Sequence, residues 1–60
     1  MITLQSCAET EKGKIFVDYF MGEKFFEVVY ADGSYQGFEV WTSALIAINA
    51  NLDIPEPKET

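Results

Sequence analysis

Sixty residues allow a single domain, and a chain this short buries only about 60% of the surface that its unfolded form exposes. With 48% hydrophobic and 15% aromatic residues it is too apolar to be disordered. Ten carboxylates face four lysines, with neither arginine nor histidine, for a net charge of −6. That balance excludes the usual route to direct nucleic-acid binding, in which Lys and Arg displace counterions from phosphates. It also disfavours an anionic membrane surface. It favours a basic protein partner reached by electrostatic steering, although the same charge also keeps a small domain soluble.

Cys7 is the sole cysteine, so no intrachain disulfide can form and a reducing compartment is expected. Met1 to Ala8 lacks the basic start and apolar run of a signal peptide. No segment approaches the ~20 apolar residues of a membrane span. A soluble intracellular protein is expected.

Taken in order, Met1 to Cys7 alternates, with Ile2 and Leu4 on one side and Thr3 and Gln5 on the other. This predicts a first strand at the sheet edge, followed by a charged connection over Ala8 to Gly13. Lys14 to Phe20 is β-branched and aromatic, which predicts a second strand. A turn at Gly22-Glu23 leads into a third strand over Lys24 to Tyr30. A two-residue loop there sets Asp18 opposite Glu27, Phe20 opposite Phe25 and Phe16 opposite Val29, with Tyr19–Phe26 and Val17–Val28 on the other face. Two carboxylates facing each other are unfavourable, which points to a surface shaped for more than stability.

Ala31-Asp32-Gly33 fits a three-residue hairpin loop with glycine in the left-handed position. That register puts Phe38 across from Phe26 and Gln36 across from Val28. A two-residue turn at Asp32-Gly33 would flip the fourth strand, placing Glu39 inward and Phe38 outward. The three-residue loop is preferred because it keeps Phe38 and Val40 with the core. Gly37 is expected to mark a bulge or a close approach.

Thr42 or Ser43 is the expected N-cap of a helix from Ala44 to Asn51, reaching toward Leu52, with Leu45, Ile48 and Leu52 as its core stripe. From Val40 to Leu52 there is not one charge, so this helix is either covered on several sides or docks a second subunit. The fold class is α+β: an antiparallel sheet of three to four strands in the order β-β-β-β-α, with one C-terminal helix on one face. Residues 1–52 form the domain and 53–60 an extended acidic tail, where Pro55 and Pro57 forbid helix.

Most chemistry is missing. Without histidine there is no histidine metal site and no Ser-His or Cys-His pair, one cysteine cannot build a thiolate cage, and no phosphate-binding glycine loop occurs. Asp18 and Glu27 have no deep pocket to desolvate them for acid–base work, so no catalytic residue, metal or cofactor is expected. The sheet face away from the helix is the positive feature. It is expected to carry Phe16, Phe20, Phe25, Val29, Tyr35 and Trp41, interleaved with Asp18, Glu27 and Glu39 and extended by Glu23 and Asp32 at the turns. Contiguous exposed aromatics mark interaction sites. The candidate partner-binding residues are therefore Asp18, Glu23, Glu27, Asp32, Glu39, Phe25, Tyr35 and Trp41, and the alternative is a homodimer formed through this face or the uncharged helix.

In size, charge and layout the whole chain resembles the phage-encoded inhibitors of bacterial defence systems, above all the anti-CRISPR proteins that mimic the charge of DNA. The unit FFEVVYADGSYQGFEVWTSALIAIN is also similar to small bacterial domains with a Gly-turn hairpin and an Ala/Ile-rich helix. The first resemblance implies a protein of the bacterial cytoplasm that binds a nuclease effector complex, such as a CRISPR effector subunit, at its DNA- or motif-reading site. Asp18, Glu23, Glu27, Asp32 and Glu39 would then stand in for phosphates.

Overall fold

Two long runs rich in aromatic and β-branched residues, separated by Met21-Gly22, form the centre of the sheet. The computed structural model describes residues 6–57. Its strands are β1 (Ala8–Thr10), β2 (Gly13–Phe20), β3 (Glu23–Tyr30) and β4 (Tyr35–Phe38), followed by one helix, α1 (Trp41–Ala47). The strands pair antiparallel in the spatial order β1-β2-β3-β4. The helix lies on one face of β3 and β4, which is the expected α+β layout.

The β2–β3 turn is Met21-Gly22, with φ of 52° and 82°, and not Gly22-Glu23. A two-residue hairpin turn with both central residues left-handed places glycine best in its second position, so the loop starts one residue earlier than expected. The register moves by two. Asp18 faces Phe25 rather than Glu27, Phe20 faces Glu23, and Phe16 faces Glu27. On the other face Tyr19 pairs with Lys24 and Val17 with Phe26. The expected opposition of two carboxylates is therefore absent. Because side chains alternate with a period of two, the shift leaves every residue on its expected face.

The second hairpin has the three-residue loop. Gly33 adopts φ 92°, the Tyr30 amide donates to the Ser34 carbonyl at 2.7 Å, and the Gly33 amide donates to the Tyr30 carbonyl at 2.9 Å. Phe38 faces Phe26 and Gln36 faces Val28, as expected. Gly37 pairs regularly with Glu27 and forms no bulge. The Phe25 ring lies beside it instead, 3.6 Å from where a Cβ would stand.

The expected strand over Met1 to Cys7 lies mostly outside the described residues, while Ala8–Thr10, expected as a connection, pairs with Gly13–Ile15. The chain reverses through Glu11-Lys12, where the Lys12 carbonyl accepts the Ala31 amide at 2.8 Å. The Thr10 hydroxyl donates to the Ile48 carbonyl, tying this edge to the end of the helix and satisfying one of its free acceptors.

Ile15, Phe26, Val28, Trp41, Ala44, Leu45 and Ile48 are buried and form the core, with Val17, Tyr30, Phe38 and Ile54 packed around them. Each large side chain contributes ~1.5–3 kcal/mol of apolar burial. The helix begins at Trp41, three residues before the expected start, and its N-cap is Val40 with no side-chain cap bond. Thr42 and Ser43 sit exposed in the first turn. Burial of Trp41 decides this. Its ring meets Phe26 edge to face at 5.1 Å, and its indole N–H donates to the Ile54 carbonyl at 2.8 Å, which outweighs a cap of ~1 kcal/mol.

The helix also stops early. Asn49 takes a left-handed φ of 57°, its amide donates to the Ile46 carbonyl, and that of Ala50 donates to the Leu45 carbonyl. That is a Schellman ending with asparagine in the usual glycine position. Leu52, expected in the core stripe, is exposed instead. Beyond it, residues 51–57 return along the domain, where Glu56 pairs with Lys24 at 3.0 Å and Lys24 lies 5.6 Å from the Phe26 ring centre. Among the described residues no helix is long and apolar enough to cross a membrane.

Candidate partner-binding face

Strand alternation divides the sheet. The residues facing α1 include Ile15, Val17, Phe26, Val28 and Phe38, all in or against the core. Their alternates face away from it: Lys14, Phe16, Asp18 and Phe20 on β2, Glu23, Phe25, Glu27 and Val29 on β3, and Tyr35 and Gly37 on β4. Nothing among the described residues is layered over this second face. Phe16, Phe25, Glu27 and Val29 are half-buried, while Phe20 and Tyr35 remain 69% and 74% exposed.

The rows across the strands set apolar and acidic groups side by side. Phe16 lies opposite Glu27, whose other neighbour is Gly37, so the Phe25 ring can settle over that glycine. Asp18 lies opposite Phe25, and Phe20 opposite Glu23. Phe20, Glu23, Lys24, Phe25, Gly37 and Glu39 are among the residues that line a shallow depression of about 260 Å³ near the Met21-Gly22 end. Asp18 turns one oxygen back onto the Tyr19 amide at 2.8 Å.

Six of the eight residues expected on this surface are placed on it or at its rim: Asp18, Glu23, Phe25, Glu27, Tyr35 and Glu39. Trp41 is not, since it is only 6% exposed, on the opposite side of the sheet against Phe26. Strand alternation ends at Phe38, three residues before Trp41, and the chain bends through Glu39 and Val40 into the helix. Asp32 is also elsewhere. It sits in the loop at the far end of β3 from Glu23, a run of seven residue steps or about 23 Å.

The Asp32 carboxylate accepts the Ser34 hydroxyl at 2.6 Å and the Ser34 amide at 2.9 Å. These two bonds hold its pKa below the usual value and make it a turn residue. Two charged members of the face escaped sequence reasoning: Lys14, and Glu9 opposite it on β1. The signal is present in the sequence, because Glu9 alternates with Ala8 and Thr10, but three charges within AETEK give that run the composition of a connection.

Among the described residues no group of three or more potential ligands could hold a metal ion. Comparison with protein-family models, with curated proteins and with solved structures gives no match.

Proposed function

We propose that the chain is a non-enzymatic binding protein whose uncovered sheet face docks on a basic protein surface and occludes it. One observation carries this reading: the face alternates aromatic anchors with carboxylates. Phe20 and Tyr35 stand well out of the surface, and Asp18, Glu23, Glu27 and Glu39 lie among or beside them. Aromatic side chains supply most of the affinity at interface hot spots, while an acidic rim sets on-rate and partner choice. The narrower form, suggested by the likeness to phage-encoded inhibitors, is that these carboxylates occupy the DNA-reading groove of a bacterial nuclease effector in place of phosphates. The excess of carboxylates and the complete lack of arginine are consistent with it.

The test is competition. A purified nucleic-acid-guided nuclease effector is titrated with the protein, and its DNA binding is followed at low and high salt. Loss of DNA binding at low salt, relieved at high salt and weakened about tenfold by each of Asp18→Lys, Glu27→Lys and Glu39→Lys, is the expected result. Unchanged inhibition by all three charge reversals would sink the reading, as would effectors that bind DNA normally in the presence of the protein.

A further inference from the structure

β4 is one edge of the sheet, and its outer side is unguarded. The Tyr30–Ser34 pair is hydrogen-bonded. Antiparallel ladders alternate bonded and non-bonded pairs, so Val28–Gln36 and Phe26–Phe38 are the next bonded ones. The peptide groups of Tyr35 and Gly37 therefore point away from β3. Among the described residues no backbone bond outside the strands reaches either of them, and Tyr35, Gln36 and Gly37 are all exposed. Proteins blunt such edges with lysine, proline, an inward charge or a bulge. The sequence YQGF contains no charge and no proline, and its register with β3 is regular. The contrast lies on β2, where Asp18 covers the Tyr19 amide.

We infer that this edge pairs with the β4 edge of a second copy, antiparallel about a two-fold axis through Gln36, giving one continuous eight-stranded sheet. Three registers use the outward peptide groups. One sets Tyr35 against itself, and another sets Tyr35 against Glu39 and Gly37 against itself. The third sets Tyr35 of each copy against Gly37 of the other, Gln36 against Gln36, and Glu39 against Gly33. Only this third register sets each exposed tyrosine against a glycine, where its ring can reach the edge of the Phe25 ring already lying beside that glycine, and it does so twice, as a two-fold interface requires. It also places no carboxylate opposite another. The two uncovered faces then join into one surface across the axis, extending the proposed partner face without depending on it.

With −6 on each copy, the dimer is opposed by long-range repulsion and strengthens as salt screens it. Binding to a basic partner has the reverse salt dependence, so the two proposals fail separately. Sedimentation equilibrium of the full chain in about 0.3 M NaCl, where screening acts within about 6 Å, reads the mass directly. The expected mass climbs from one chain toward two as concentration rises into the high micromolar range, and it falls back at low salt. Gly37→Pro removes only an outward N–H, which an edge strand tolerates, and should abolish the dimer while far-UV circular dichroism stays native.

A second measurement fixes the register and covers the case in which the proline variant unfolds. Gln36→Cys in a Cys7→Ser background should form an intermolecular disulfide on mild oxidation, since the two positions face each other at a non-bonded pair, whereas Ile46→Cys on the helix should not. A single-chain mass throughout the concentration range at high salt would overturn the inference. So would a dimer that survives Gly37→Pro with a native spectrum, or a Gln36→Cys chain that cross-links no better than Ile46→Cys.

Discussion

A methyl group added at Gly13 would lie 2.5 Å from the Val29 carbonyl oxygen and 3.0 Å from the Tyr30 Cα. Both are backbone atoms of the paired strand and neither can swing aside. Gly13→Ala is therefore expected to destabilise the fold by ~1–3 kcal/mol, read as a lower urea midpoint at unchanged slope. Gly37→Ala is the control, because the methyl group would make only ordinary contact with the Phe25 ring and its midpoint should hold or rise slightly. The two glycines look alike in the chain. Gly13 was legible only as the end of a connection, because what crowds it is a strand sixteen residues away. Trp41 was misread for a related reason: its neighbours Val40 and Thr42 fit a strand as well as a helix entrance, and only Phe26 and Ile54 decide where the ring goes.

The helix is seven residues long, too short to hold itself in water, so its packing on Phe26 and Val28 sustains it. Its N-cap is an exposed valine in extended geometry that offers no oxygen to the free amides. Val40→Ser should supply one and raise stability by about 1 kcal/mol, a shift of roughly 4–8 °C in Tm for a domain of this size. A lower Tm would mean that the β-branched side chain matters to the bend out of β4 more than the cap does. The strands were the more legible elements: alternation assigned the faces of β2, β3 and β4, and glycine at position 33 selected the right loop. The slip at Met21-Gly22 was harmless because it was even. The helix boundaries were less legible, since the cap signal at Thr42 and Ser43 competed with a tertiary anchor that local sequence does not reveal.

At the scale of the whole molecule, the chain carries ten carboxylates and four lysines, and nine and three of these belong to the described residues of a body of 28 × 26 × 18 Å. Most charges therefore lie within two or three Debye lengths of one another at 0.1 M salt, roughly 10 Å each. The Lys24–Glu56 pair is half exposed and adds little against this. Thermal unfolding should shift upward by about 2–6 °C between 10 mM and 0.3 M NaCl as self-repulsion is screened, and a downward shift would mean that attractive pairs dominate. Charge and face were both readable in the sequence, but which edges stay open was not, because that depends on the whole strand order. Trp41 adds a practical consequence. It is the only tryptophan in the chain, held beneath the sheet by Phe26 and the Ile54 carbonyl, with the sheet between it and Phe20, Phe25 and Tyr35. Its fluorescence is thus a built-in signal for unfolding that a ligand on the far face should leave unchanged, so stability and recognition can be followed separately in one unlabelled sample.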